Sequence, residues 1–306
     1  MLVSGFLGSG KTTFINHLLH EGLSGKQIAV IVNDFGSVSV DDSLISHPDE
    51  SKLVLRNGCV CCTLAGDLAL GLCRLLDDGD FDMVVMEASG ISRTDAIRNV
   101  LEESSDALVA LEHVVVVVDV VRFCKLQGAI RTVVEQVKNA GVILLNRCDI
   151  ATPGQIEESE DAVSSLNPHV PIIKTSFAKT SIDIVMRVGI SSWPGMQSTG
   201  DGLDQWETCQ LVLSESTSRE QLEALLVRLP ESIARVKGFV ATSSGDVLHV
   251  NHVPGDTHIE RWHDRVPAEG GNVLTVVGMP DFESALKAIL PENAILRERA
   301  TLRNNH

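Results

Sequence analysis

The stretch Gly5–Thr13 (GFLGSGKTT) constrains this chain more than any other. It fits G-x-x-x-x-G-K-[ST], a loop whose glycines let the backbone curl until successive N–H groups point into one anion-sized nest. A helix starting inside such a loop adds its positive N-terminal end. The flanks agree, because Met1–Ser4 is apolar and strand-like and Thr13–His20 places Phe14, Leu18 and Leu19 on one helical face. Strand, glycine loop and helix in that order predict a phosphate site at Gly8, Ser9, Gly10, Lys11, Thr12 and Thr13. Lys11 would reach the β- and γ-phosphates, and the Thr12 hydroxyl would ligate Mg²⁺. The plain alternative is a glycine-rich turn that happens to precede Lys-Thr.

The N-terminal part of the chain then repeats one theme. Ile28–Val32, Val54–Leu55, Met83–Met86, Val114–Val118, Val142–Leu145 and Pro171–Lys174 are short runs rich in Val, Ile, Leu or Met, with helical stretches such as Leu64–Leu76 among them. This alternation predicts the α/β class: a P-loop NTPase fold with a mostly parallel sheet covered on both faces. Polar signatures close the runs, at Asn33-Asp34-Phe35-Gly36, Glu87, Asp119, Asn146 and Thr175-Ser176. Open sheets of this kind bind ligands beyond the C-terminal ends of their strands.

Ser191–Asp204 is rich in Ser, Gly and Pro and reads as a linker. It divides the chain into a nucleotide domain at 1–190 and a second domain at 205–306. In the latter, Trp206–Leu213 reads as a strand, and Ser218–Leu229 as a helix capped by Ser218 and stopped by Pro230. Val236–Thr242 and Val247–Val253 form a hairpin pattern, followed by a strand at Asn272–Val277 and a helix at Phe282–Leu290. The prediction is a small α+β domain, with the tail after Leu296 frayed.

Charge narrows the partners. The 25 basic and 41 acidic residues leave a net charge of −16, which argues against nucleic acid as a partner, since such binding needs cationic neutralisation of phosphates. No leader pattern is read, and runs such as Val114–Val118 are far too short to span a bilayer, so no membrane partner and a cytoplasmic location are expected. Seven cysteines, three of them within Cys59–Cys62, suit a reducing compartment and thiolate chemistry.

Four further groups carry chemistry. Glu87, closing a hydrophobic strand, can hold Mg²⁺ opposite Thr12, while the Gly90 N–H can meet a γ-phosphate. Asn146-Arg147-Cys148-Asp149 stands where a base-reading loop belongs. Asp149 would accept from guanine N1–H and N2–H₂, Asn146 would serve the N7/O6 side, Arg147 would stack on the base and Ser176 would add a backbone contact. Asp34 or Asp41, in a segment after the second strand placed to sense the γ-phosphate, would orient the attacking water or a magnesium-bound water. Cys59, Cys61 and Cys62 offer three soft thiolates suited to Zn²⁺, Cu⁺ or a similar thiophilic ion, Co²⁺ included, with one position open. For those cysteines, a C-x-x-C redox switch and inert buried thiols remain competing readings. His249, His252, His258 and His263 are read either as a metal relay or as surface histidines.

Taken in order, GFLGSGKTT, NDFG at Asn33–Gly36, GCVCC at Gly58–Cys62, EASG at Glu87–Gly90 and NRCD at Asn146–Asp149 strongly resemble the CobW-type metallochaperone GTPases, relatives of the urease and hydrogenase accessory GTPases. LPESIARVKGFV at Leu229–Val240 resembles that family's C-terminal domain. The resemblance implies metal on Cys59, Cys61 and Cys62, coupled to the nucleotide, and delivery of zinc or cobalt with links to cobalamin biosynthesis. Asp34 stands where many relatives have Glu, and Arg147 where most have Lys. The function expected is a Mg²⁺-dependent GTPase in which Lys11, Asp34, Asp41 and Glu87 serve catalysis and GTP or GDP governs metal transfer to a client metalloprotein. A nucleotide- or metal-dependent dimer is admitted. The alternatives are an ATP-using, kinase-like enzyme and a thiol switch or scaffold.

Overall fold

The computed structural model describes residues 1–21, 27–33, 52–55, 81–95, 97, 111–189, 205–213, 217–262, 272–280, 282–291 and 294–302. These fall into two compact units, one within Met1–Asp204 and one within Gln205–His306. The expected linker, the expected helix at Leu64–Leu76, Asp34, Asp41, Cys59, Cys61, Cys62 and His263 all lie outside the described residues.

In the first unit β1 (Leu2–Ser4) is the middle of a parallel sheet. Its other strands are β2 (Ile28–Asn33), β3 (Lys52–Leu55), β4 (Met83–Glu87), β5 (Val114–Asp119), β6 (Val142–Asn146) and β7 (Ile172–Lys174), in the order β3-β2-β4-β1-β5-β6-β7. Every pairing is parallel, so all seven strands end on one edge. The valines of β5 are at most 5% exposed, because a central parallel strand is covered on both faces. Burying each such side chain contributes roughly 1.5–3 kcal/mol, which makes this polar-free run the anchor of the sheet.

Helices supply that cover. On one face, Phe14, Ile15 and Leu18 of α1 (Lys11–Glu21) pack with Val3, Val85, Val115 and Val117 in one buried cluster. Ile182 and Val185 of a further helix (Ile182–Gly189) join the same cluster. On the other face, α2 (Phe123–Ala129) and α3 (Arg131–Lys138) bring Phe123, Val133 and Val137 against Val116 and Val118. After β6, α4 (Pro153–Leu166) opens with a capping box in which the Thr152 Oγ1 accepts from the Gln155 N–H at 3.3 Å. Pro153 starts that helix without wasting a donor. The helix Ile182–Gly189 is α5.

The second unit is a six-stranded antiparallel sheet in the order β11-β10-β9-β12-β8-β13. Its strands are β8 (Trp206–Val212), β9 (Ile233–Ala241), β10 (Val247–Val253), β11 (Asp256–Arg261), β12 (Val273–Gly278) and β13 (Ile295–Leu302). One face buries Leu211, Val236, Val250 and Val276 with Leu222, Leu225 and Leu226 of α6 (Arg219–Val227) and with Phe282 and Leu286 of α7 (Phe282–Lys287). Ser218 caps α6 as its sequence position predicts. The tail is a correction: residues expected to fray form β13, paired with β8.

The histidines are a second correction. His249 and His252 are buried rather than superficial. Three residues apart on β10, they point to opposite faces of the sheet. His249 Nδ1 meets Glu260 Oε1 at 3.1 Å and its ring lies 5.4 Å from Phe239, whereas His252 Nδ1 meets Thr257 Oγ1 at 2.7 Å. Burial first, and the cations Lys237 and Arg235 after it, lower the His249 pKa against the pull of Glu260. Exposed His258 sits on Asp256. The described histidines therefore do not converge on one metal.

Candidate functional site

The phosphate loop leaves β1 at Gly5 and enters α1 at Lys11. Two of its glycines are required by contact as well as conformation. Gly5 has φ +136° and a Cβ there would meet the Val117 carbonyl oxygen at 2.2 Å; Gly10 has φ +108° and its Cβ would meet Asn146 Nδ2 at 2.6 Å. No L side chain fits such geometry. Lys11 is buried and donates to the carbonyls of Gly5 at 2.9 Å and Phe6 at 3.3 Å. Thr12 Oγ1 donates to Glu87 Oε1 at 2.9 Å and lies 3.2 Å from Oε2. The parallel register that pairs Val3 with Glu87 brings this carboxylate, at the end of β4, beside the loop that follows β1.

Asn146, at the end of β6, ties two loops together. Its Nδ2 donates to the Ser9 carbonyl at 2.9 Å, and its Oδ1 accepts from the Ala178 N–H at 2.7 Å and from Thr175 Oγ1 at 3.2 Å. Arg147 follows with φ 68°, and Phe177 and Ala178 have φ 55° and 53°. Non-glycine residues in the left-handed region cost on the order of 1–3 kcal/mol each and persist where their surroundings hold them, often at functional sites. The Arg147 guanidinium reaches the Gly8 carbonyl at 3.3 Å and Asp119 Oδ2 at 3.3 Å. It therefore braces the phosphate loop, a task its sequence position did not announce. Asp149 and Thr13 are exposed and Ser176 half-buried.

The turn after Glu87 is held by α3, which carried no signal in the sequence. Gln136 Nε2 donates to the carbonyls of Gly90 and Ser92, each at 3.2 Å. Glu135 accepts from the N–H groups of Thr94 and Asp95, each at 3.2 Å, and from Asn139 Nδ2 at 2.8 Å. Arg93 pairs with Asp95 beside it. Burial, with a smaller push from the Asp95 carboxylate, raises Glu135 from the ordinary 4.5 to about 7, against the lowering by those N–H donors and Arg93. Between the two values the folded protein holds a proton that the unfolded chain has lost, so Glu135 makes stability fall as pH rises through that window. Glu135→Gln should flatten this part of the pH–stability profile by on the order of 3 kcal/mol, read from urea midpoints across the window. An unchanged slope would mean that Glu135 is ionised throughout.

The structure thus brings together Gly8, Ser9, Gly10, Lys11, Thr12, Glu87, Gly90, Asn146 and Arg147 at the C-terminal edge of the first sheet. Arg122, Asp119, Glu135 and Gln136 join them without having been named as site residues. Among the described residues no group of three or more His, Cys, Asp or Glu is arranged to hold a metal, and no helix is long and apolar enough to cross a membrane.

Over residues 1–174 the chain matches the family described as CobW/HypB/UreG, nucleotide-binding domain, and over residues 206–292 the one described as Cobalamin synthesis protein cobW C-terminal domain. It is 27% identical over 228 residues to the zinc-regulated GTPase metalloprotein activator 1 of Dictyostelium discoideum, covering 62% of this chain and 48% of that protein. It is 35% identical over 178 residues to the zinc chaperone YjiA of Escherichia coli (strain K12), covering 56% of this chain and 55% of that protein. The matched region therefore spans about half the length of both relatives. The zinc chaperone CobW of a Sinorhizobium species is 26% identical over 339 residues, with 93% of each chain covered.

Proposed function

The chain belongs to the CobW/HypB/UreG family of nucleotide-binding proteins, and from that premise we propose that it hydrolyses GTP and uses the nucleotide state to capture and release a divalent metal at Cys59-Val60-Cys61-Cys62. The observation that carries the reading is the meeting of the glycine loop, the Thr12–Glu87 pair and Asn146 at one edge of the sheet. A Thr hydroxyl and a carboxylate 2.9 Å apart beside a phosphate nest are hard oxygen donors of the kind Mg²⁺ takes. Bound there, Mg²⁺ would neutralise charge on the β- and γ-phosphate oxygens.

The chain's own residues do the rest by position. Lys11, held on the Gly5 and Phe6 carbonyls, turns to the phosphates when they enter. The amides of the loop and of Gly90 face the γ-phosphoryl group, and Asp34 or Asp41 orients the water that attacks its phosphorus. The bond from that phosphorus to the bridging oxygen breaks, and GDP and phosphate leave. Donors fixed before the reaction stabilise the developing charge without reorganising. Asn146 and Asp149 select guanine. Three thiolates with an open fourth position suit transfer of a metal better than its storage. The names of the three relatives favour zinc as cargo over cobalt, with a client metalloprotein as recipient.

The test is a titration with Zn²⁺ and with Co²⁺, each in the presence of GTP and of GDP, with free thiols counted. Cys61→Ser is expected to weaken metal binding at least about tenfold in one nucleotide state, since it removes a ligand from a three-thiolate site. Unchanged affinity in both states would overturn the metal reading, and thiols lost without metal uptake would favour a redox switch. ATP displacing a labelled GTP analogue as well as GTP does would overturn the guanine assignment.

A further inference from the structure

The back of the phosphate loop is held by a chain of contacts, buried at Leu7, Gly90 and Gln136 and half-buried at Arg122, that the nucleotide reading leaves unused. Arg122, in the turn between β5 and α2, donates through Nη1 to the Leu7 carbonyl at 3.2 Å. On its other side the Leu7 backbone carries Gly90. A Cβ at Gly90 would stand 2.6 Å from Leu7 Cδ2, 2.7 Å from the Leu7 nitrogen and 2.9 Å from its Cα, so the Gly90 backbone packs directly on the backbone and side chain of Leu7. The Gly90 carbonyl is in turn held by Gln136, itself 1% exposed. Arg122, Gln136, Leu7 and Asp119 line one cavity of about 20 Å³ behind the loop. Arg122, Leu7, Gly90 and Gln136 thus form a continuous series from one helix entry to the next helix.

The chemistry of the peptide makes this series matter at the front. The Leu7 carbonyl and the Gly8 N–H are two ends of one rigid plane, so a guanidinium fixed on the oxygen sets the direction of that N–H. Gln136 fixes the carbonyl of the residue whose own N–H is the expected γ-phosphate contact. A buried amide with two carbonyl acceptors has its donors committed, and a charged donor on a carbonyl is a stronger anchor than a neutral one. We infer that Arg122 and Gln136 are positioning residues for the nucleotide: Arg122 sets the phosphate loop, and Gln136 sets the Gly90 turn that packs on Leu7 of that loop. This rests on the reading that a guanine nucleotide binds at the glycine loop.

The two residues are separable by experiment. Arg122→Met keeps the apolar stem and removes the donor, and it should weaken GDP binding about tenfold, the scale of one charge-assisted hydrogen bond. Arg122→Lys should recover part of that loss. Gln136→Glu keeps the shape but turns an acceptor toward two carbonyls. It should leave GDP affinity within about twofold while lowering kcat for GTP at least tenfold and erasing the preference for a non-hydrolysable GTP analogue over GDP. Melting temperatures measured alongside separate positioning from folding. If wild-type protein binds GDP and both variants bind and turn over like it, the inference fails while the nucleotide reading stands. If affinity, kcat and melting temperature fall together in both variants, the residues are merely structural and the inference fails again. Wild-type protein that binds no guanine nucleotide overturns the parent reading and the inference with it.

Discussion

Asn146→Ala is expected to lower guanine-nucleotide affinity at least about a hundredfold and to cost about 3–5 kcal/mol of stability, because one buried amide holds both halves of the site. The side chain is 4% exposed and makes three hydrogen bonds, to Ser9, Ala178 and Thr175. Truncation strands the Ser9 carbonyl and the Ala178 N–H in a dry interior, and each orphaned group costs about 1–3 kcal/mol. The Ala178 bond, at 2.7 Å, also holds a turn with two consecutive residues at positive φ, so its loss releases that strain by letting the base loop rearrange. Asn146→Asp serves as the companion variant: it keeps an acceptor for Ala178 but sets a carboxylate oxygen against the Ser9 carbonyl, and should be nearly as damaging. Titration with a fluorescent GDP and thermal melting read the two effects separately. Affinity within about threefold of wild type would sink the view that the phosphate and base loops depend on one another.

The sheet of the first unit was legible because buried parallel strands need nothing but apolar side chains. The Val114–Val118 run has no competing reading as an exposed element, and the strand it predicts is the one observed. The glycine loop was legible for a related reason, since its backbone excludes side chains at Gly5 and Gly10 and only glycine satisfies it. The second unit was read less fully. Asp256–Arg261 (DTHIER) is an edge strand whose residues are mostly exposed, and its charges blunt an open edge rather than mark a core. Its register against β10 comes from backbone pairing across a tight turn at Pro254-Gly255. Ile295–Leu302 carries Arg297, Glu298 and Arg299, so its composition suggested solvent, yet it closes the far side of the sheet on β8.

The same distinction explains the hidden members of the site. Arg122, Glu135 and Gln136 recognise backbone groups of segments far away in sequence, and a backbone carbonyl leaves no trace in a residue pattern. Arg147 was visible as a departure from Lys but its partners were not. Its guanidinium spans the Gly8 carbonyl and the Asp119 carboxylate, and a planar group with several fixed donors can serve both at once where an ammonium offers a point charge. Base loop, phosphate loop and the end of β5 are thereby joined through one side chain.

Glu87→Gln is expected to separate binding from turnover. The carboxylate is 5% exposed at the end of a rigid parallel strand, and both of its oxygens lie within 3.2 Å of Thr12 Oγ1. The amide fills the same volume and still offers Thr12 one acceptor, so the loop keeps its shape and GDP affinity should stay within about threefold of wild type. What is lost is a fixed negative charge where a divalent cation and the phosphoryl oxygens are to be balanced. Removing one preorganised electrostatic group of this kind costs about 10²–10³ in kcat. The Mg²⁺ concentration for half-maximal activity should rise as well, because a neutral amide is a weaker ligand for a hard cation than a carboxylate. Steady-state GTP hydrolysis across a Mg²⁺ series, with GDP titration on the same preparation, checks both expectations. A kcat within about threefold of wild type, at any Mg²⁺ concentration, would remove Glu87 from the hydrolytic site and leave it as a cap on the Thr12 hydroxyl.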